Sequence, residues 1–424
     1  MNVYDSTRMR DALAVHGYQE TSVPSKADVI LVNTCHIREK ASEKLFSELG
    51  RLAREKKKNA LVVVAGCVVQ ADGAEILRRS KLIDIAVGPQ NYHLLPALIT
   101  EYNRKNGRVI VADFPAESKF DYLPNPSKSS AAAFLAVQEG CDHFCSYCVV
   151  PYTRGCEYSR PMKEIVAEAK ALVKAGAKEI MLLGQNVNGW HGDKGKDLGD
   201  VIREIAKIRG LKRIRYTTSY PSEMTKNLIQ AHGDTPKLMP YIHLPIQSGS
   251  DRVLKAMNRQ YTVKEYEKIV ADFRKVRPDI AISSDFIVGF PGETEKDFEE
   301  TLKLVERIGY ASSYSFKFSA RPGTPASLMK NQIPEDVKTK RLMKLQALLL
   351  KQQRAFNEAT VGKVFDVLLT EKGKEKGQLL GYSPYLQGTV VKAPQKMLGE
   401  IVRVKVVSAS ATSLTAELVK QKNG

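Results

Sequence analysis

Over the first hundred or so residues, short apolar runs rich in β-branched side chains alternate with stretches of helical periodicity. Residues 28–33 read DVILVN, 37–55 are helical in pattern, 61–65 read LVVVA, and 71–79 are helical again. Strands that are apolar at every position are buried on both faces, so this alternation predicts a parallel α/β layer of flavodoxin-like type. Residues 1–14 carry a helical pattern with no strand before it, where a doubly wound sheet normally feeds that helix from a strand. A basic Pro- and Ser-containing stretch, FPAESKFDYLPNPSKSS at 114–130, reads as a linker. Beyond it, strand candidates fall at 133–139, 179–184, 213–219, 240–246, 280–289 and 312–318, six strand–helix units that predict an open (β/α)6 barrel. A charged helical segment over 334–359 closes this region. From 361 the period shortens to that of strands: VFDVLLT, QGTVVKA, EIVRVKVVSA and SLTAELV are separated by Gly- and Lys-bearing turns, the pattern of a small β-barrel. The expected division is therefore 1–112, a linker at 113–130, 131–358 and 359–424.

Composition narrows the partners. In 424 residues, 43% are apolar and 26% charged, which excludes disordered and fibrous classes. Lys and Arg exceed Asp and Glu by 65 to 47, a net charge of +18 that favours a polyanion such as nucleic acid. Residues 351–424 share the excess, with 12 Lys/Arg against 6 Asp/Glu, so the terminal barrel reads as an RNA-binding appendage. No signal-peptide pattern opens the chain, and apolar runs such as 61–69 fall far short of a bilayer span; a cytoplasmic protein without membrane contact is expected. Six cysteines, clustered in such a chain, point to metal or redox chemistry rather than disulfides.

Three of them, Cys141, Cys145 and Cys148, stand in GCDHFCSYCV at 140–149, a C-x3-C-x2-C loop just after the first barrel strand. Three soft thiolates on one loop suit a four-iron cluster that keeps one iron free for a substrate, or a zinc ion completed by His143 or Cys156. Cys156 otherwise reads as a small packed thiol. Cys35 and Cys67 each lie just past a strand's C-terminal end, the edge where open α/β sheets bind ligands, and are placed to converge. Gln185 and Asn186 follow one barrel strand end and Gln247 another, while Ser284 and Asp285 lie within a third strand, all positioned to face a cofactor on the C-terminal rim. His243 reads as a core histidine, the glycines of GFPG at 289–292 as turn formers, and Arg154 and Arg160 as guides for an RNA phosphate or a cofactor carboxylate, or as solvated surface.

The cysteine loop with Tyr147 before its last cysteine resembles the signature of the radical S-adenosylmethionine superfamily. YCVVPYTRG (147–155), LLGQNVNGW (182–190), HLPIQSGSDRVLKAMNR (243–259), SSDFIVGFPGET (283–294) and FSARPGTPA (318–326) extend the resemblance to the methylthiotransferase family. DVILVNTCHIREKASEKLF (28–46) and AGCVVQ (65–70) resemble that family's N-terminal domain, the REKA wording its tRNA-modifying MiaB-type branch, and the basic C-terminal barrel resembles the TRAM domain.

The resemblance implies two 4Fe–4S clusters and S-adenosylmethionine. The first cluster would be held by Cys141, Cys145 and Cys148, with Tyr147 and the rim residues near the cofactor. The second, which supplies sulfur, would be held by three N-terminal cysteines, of which Cys35 and Cys67 match two. The third normally lies in a Gly-Cys-Gln-Met-Asn segment that would precede Met1, so a start shortened by a strand and a cysteine is expected, and with it a weakened second cluster. Tyr220 stands where relatives often carry histidine. The implied substrate is the anticodon stem-loop of tRNA bearing N6-isopentenyladenosine, methylthiolated at ring carbon 2 by a monomer fed by an electron donor and a sulfur source. Alternatives are methylthiolation of threonylcarbamoyl-adenosine or of a ribosomal protein, or an RNA-binding iron–sulfur protein that cleaves its cofactor without delivering sulfur.

Overall fold

The computed structural model describes residues 1–35, 39–105, 107–115, 117–126 and 129–419, the side chains of 39–42 apart. The REKA wording at 38–41 lies outside the described side chains.

Four parallel strands, β1 (Val29–Asn33), β2 (Leu61–Ala65), β3 (Ile85–Val87) and β4 (Val109–Val111), pair in sequence order. The strand period of two divides their side chains between two helical layers. Leu61, Val63 and Ala65 pack with Met9, Leu13, Leu95 and Leu98, while Val62 and Val64 pack with Leu45, Leu49 and Val68. The N-terminal helix, Asn2–Ala14, lies along edge strand β1, where the Asn33 amide donates to Asn2 O at 2.9 Å and Ser6 Oγ at 3.0 Å. Its Tyr4 turns the other way and packs with Phe120, Ala136 and Leu183, so this helix belongs to two cores at once.

The expected linker is anchored over part of its length: Lys119 is 1% exposed, donates to Pro89 O at 2.7 Å and Glu139 Oε1 at 2.8 Å, and stands over the Tyr92 ring. Beyond it come β5 (Ala132–Ala136), β6 (Gln138–Glu139), β7 (Tyr158–Ser159), β8 (Glu179–Leu183), β9 (Arg213–Tyr216), β10 (Tyr241–His243), β11 (Ala281–Val288) and β12 (Ser312–Lys317). Parallel sheets β5-β8-β9 and β10-β11-β12 are joined by a bridge from Ile214 to Leu238, which makes one open six-stranded barrel. The single strand expected at 133–139 breaks at Val137. Its last two residues, β6, turn out of the barrel to pair antiparallel with β7, and this short ribbon clamps the two ends of the cysteine loop.

Behind the barrel wall His232 is 0% exposed, 2.8 Å from the Tyr216 hydroxyl and edge-on to Phe273. Burial and the Arg277 charge depress its pKa to about 3. A histidine lowered on folding loses its stabilising effect as pH falls from its unfolded value of about 6.5 towards 3, because the unfolded chain takes the proton first. Acid denaturation should therefore steepen below pH 6.5 by about 1.4 kcal/mol per pH unit from this residue. His232→Phe is expected to flatten the slope in urea titrations between pH 4 and 7; an unchanged slope would place the acid sensitivity elsewhere.

After the helix Glu335–Glu358, strands β13 (Val364–Lys372), β14 (Gln378–Tyr382), β15 (Gly388–Lys392), β16 (Ile401–Ala409) and β17 (Leu414–Leu418) close into a barrel of order β13-β14-β15-β17-β16. Register shifts at Leu369/Glu371 and Val406/Ser408 supply the bends that closure needs. The guanidinium groups of Arg213 and Arg215 donate to the carbonyls of Asp366, Tyr382, Ser383 and Pro384, while Tyr385 and Leu386 pack with Tyr241 and Ala281. The small barrel is thus clamped near the first residues of β9 to β11, at the end of the large barrel away from the cysteine loop.

Candidate functional site

The cysteine loop sits on the C-terminal rim, held from three sides. The Gln185 side chain, just past β8, accepts the Gly140 N–H at 2.7 Å; Gln138 donates to Gly140 O at 2.6 Å. Ser146 receives its backbone bond from the other half of the barrel, donating to Met257 O at 3.0 Å. Glycine is required at 140, where φ is +77° and an added Cβ would lie 2.0 Å from Cys156 O. Gly140→Ala is expected to cost about 1–3 kcal/mol in backbone strain alone, to push the loop off its ribbon and to lower bound iron, measured by iron and sulfide quantitation beside thermal melting.

Burial pushes the Cys141 thiol up to about 12 and Cys148 to about 11, against N–H groups of His143 and Val150 aimed at the two sulfurs. Buried thiols of this kind become ligands when a cation displaces their protons. The third, Cys145, is 8% exposed and accepts a hydrogen bond from Arg259 Nη1 at 3.4 Å. Arg259 was not singled out from the sequence, although it ends the 243–259 motif; it also lies over the Tyr220 and Tyr261 rings at 4.3 and 5.0 Å. Tyr147 is half-buried among the core side chains next to the loop. Of the residues that would complete a zinc site, the His143 ring is stacked on Tyr220 at 3.7 Å and lies 3.2 Å from Glu223 Oε1, and Cys156 is exposed.

Around the rim, Asn186 is 1% exposed, and its amide nitrogen lies 2.5 Å from Glu223 Oε2 and 3.3 Å from Glu157 Oε2, while its Oδ1 has no partner among the described residues. Burial raises the Glu157 pKa; at Glu223 burial is outweighed by hydrogen bonds from His143 and Asn186, which hold it low. Gln247 adopts φ +79°, and its backbone continues the strand pairing with Asp285 O and Ile287 N. Asp285 and Ser283 face His243, which contacts Ser283 Oγ at 3.0 Å and Asp285 Oδ2 at 3.5 Å and is thereby a satisfied core histidine.

Ser284 corrects the expectation. Alternation along β11 turns it to the opposite face, where its hydroxyl meets Ile246 N at 3.0 Å and the Tyr266 and Tyr310 hydroxyls behind the wall. Arg154 and Arg160 also depart from their expected roles. Both are 4% exposed and paired with protein carboxylates, Arg154 with Asp5 and Glu139 and Arg160 with Glu168, which turns them inward from any phosphate on the surface.

The two N-terminal cysteines lie near one another. Cys35, past β1, and Cys67, past β2, meet closely enough that a hydrogen bond from Cys35, followed by the Arg154 charge, brings Cys67 down to about 6 against burial. Arg154, six residues beyond Cys148, joins this pair to the barrel. It contacts Cys67 Sγ at 3.3 Å, Asp5 Oδ2 at 2.6 Å and Glu139 Oε1 at 2.6 Å. Burial would raise Asp5, but Arg154 and Lys119 outweigh it and hold the carboxyl below its usual range. One guanidinium thus ties the first helix, the second cysteine site and the ribbon under the cysteine loop. Among the described residues, no three His, Cys, Asp or Glu side chains close around a single metal ion.

Family models match the chain in three places: the radical SAM superfamily over 135–305, the uncharacterized protein family UPF0004 over 1–88 and the TRAM domain over 358–419. With the cysteine loop on an open barrel, these define the class as a radical SAM enzyme carrying a TRAM domain, which implies a 4Fe–4S cluster and S-adenosylmethionine. The chain is 55% identical over 98% of its length to the tRNA-2-methylthio-N(6)-dimethylallyladenosine synthase of Sphingopyxis alaskensis, covering 95% of it. It is 54% identical over 98% of its length to that of Wolbachia pipientis, covering 96%. The chain belongs to the tRNA-2-methylthio-N(6)-dimethylallyladenosine synthase family. Two solved structures of the radical S-adenosylmethionine methyltransferase TsrM from Kitasatospora setae share the fold at 15% identity. Their TM-scores are 0.59 and 0.58, each over 77% of this chain, with 72% and 74% of the TsrM chains covered. No helix among the described residues is long and apolar enough to cross a membrane.

Proposed function

We propose that this chain methylthiolates ring carbon 2 of N6-dimethylallyladenosine beside the anticodon of tRNA. Similarity to two such synthases over 98% of the chain carries the reading. Cys141, Cys145 and Cys148 would hold the radical cluster. S-adenosylmethionine bound there supplies a radical able to take hydrogen from an aromatic C–H, which has no acidic proton for a side-chain base. Gln185 and Gln138 keep the loop in register, and Arg259 directs an N–H and a positive charge at Cys145. The buried Asn186 Oδ1, without a partner among the described residues, on an amide whose nitrogen contacts Glu157 and Glu223, fits an ammonium donor, which suits the cofactor's amino group. Gln247, past β10, and Asp285 in β11, joined by a backbone hydrogen bond, are the further candidates for cofactor contacts. Cys35 and Cys67 would supply two thiolates to a second cluster, whose chemistry would be that of a sulfur source. The TRAM barrel and the net charge of +18 hold the RNA backbone. The target base leaves its stack to reach the rim.

The test is an anaerobic single-turnover reaction with a tRNA hairpin bearing dimethylallyladenosine. Expected are 5′-deoxyadenosine and the 2-methylthio product, with a threonylcarbamoyl-adenosine hairpin left unmodified. Product on the second hairpin alone would reverse the substrate assignment. 5′-Deoxyadenosine with no methylthio product from either would leave an RNA-binding protein that does not transfer sulfur.

A further inference from the structure

Phe144 stands between two of the cluster cysteines, yet it is 50% exposed, and Tyr152 on the helix Val150–Arg154 is 49% exposed. Their rings meet edge to face, centroids 6.2 Å apart at 79°. Phe144 adopts φ +46°, a left-handed conformation that costs an aromatic residue free energy and that recurs at functional positions. The surrounding fold enforces it: Asn258, itself at φ +58°, donates its side-chain amide to His143 O and Phe144 O, both at 3.1 Å. The protein therefore holds an apolar ring out in water, beside its cysteine loop, on a strained backbone. Backbone bonds from Ser146 to Met257 and from Ala326 to Ser146 join the loop to two flanking elements, and these carry the exposed cations Lys255 and Lys330.

We propose that Phe144 and Tyr152 form a stacking platform for an unpaired nucleobase of the RNA substrate, next to the base that reacts. This rests on the tRNA reading above and adds to it the contact that stands in for base stacking lost when the target leaves the loop. An RNA loop is favoured as the occupant because exposed rings beside the cysteine loop, on a chain of charge +18, match the faces of bases and the phosphates between them.

The experiment measures binding of a dimethylallyladenosine hairpin to the cluster-loaded protein, with 2-aminopurine next to the modified base as a stacking reporter. Phe144→Ala and Tyr152→Ala are each expected to weaken binding about tenfold and to abolish the reporter's quenching. Phe144→Trp should keep both, and Phe144→Leu, apolar but without a π face, neither. Iron content is measured for every variant. Tyr152 lies outside the cysteine loop, so Tyr152→Ala decides the matter if Phe144→Ala loses iron. Wild-type binding and quenching in both alanine variants would overturn the platform and leave the tRNA reading standing. A wild-type protein that binds no hairpin would overturn both.

Discussion

Cys148→Ser is expected to bring bound iron at the radical loop from about four atoms per chain to below one and to end turnover. A serine hydroxyl is a poor ligand for an iron–sulfur cluster, and its shorter side chain withdraws from the position where the Val150 N–H meets Cys148 Sγ at 3.5 Å. Two remaining sulfurs do not hold the cluster, and no side chain substitutes for radical chemistry. Product formation should drop by roughly a thousandfold or more. Cys156→Ser is the control, since that thiol is exposed and should leave iron and product near wild type. Loss of iron in Cys156→Ser would instead revive a four-ligand site. The readouts are iron and sulfide analysis, paramagnetic resonance of the reduced protein, and mass spectrometry of the hairpin.

Arg154→Met should produce the largest loss of stability. The guanidinium lies between Asp5 and Glu139, and all three side chains are almost fully buried. Removing it leaves Lys119 to compensate Glu139, at 2.7 Å, but strips Asp5 of its close ion pair. Breaking a buried pair by deleting one partner costs about 3–5 kcal/mol. The penalty falls on the seam between the N-terminal layer and the barrel, so the expected signature is a lower urea midpoint for the N-terminal layer and early cleavage near 114–130 in limited proteolysis. Cofactor cleavage should survive better than product formation, because the radical loop keeps its own supports while Cys67 loses its contact to the barrel side. Arg154→Lys keeps the charge but reaches one carboxylate at most, and should fall between wild type and Arg154→Met. Equal loss of both reactions would mean that Arg154 supports the radical loop and not the joint between the two cysteine sites.

The residues that carry chemistry by local spacing were legible in the sequence. The C-x3-C-x2-C loop, all six barrel strands, the period-two C-terminal barrel and the placement of Cys35 and Cys67 past strand ends are properties of neighbours in the chain, where backbone geometry decides. The break at Val137 was not legible, because 133–139 is apolar enough for one strand and only pairing with β7 turns its last residues aside. Nor was the face of Ser284: a one-residue step decides which side of a strand a hydroxyl occupies, and register against β10 and β12 sets that step. Arg154, Arg160 and Arg259 look alike as letters near a cofactor loop. Their work is set by partners far along the chain, Asp5 at a separation of 149 residues and Cys145 at 114. A buried charge is defined by what the fold brings against it, so sequence alone determined the candidate ligands, the elements and the family resemblance, while tertiary packing decided which cations stand against those cysteines and which aromatic rings remain exposed.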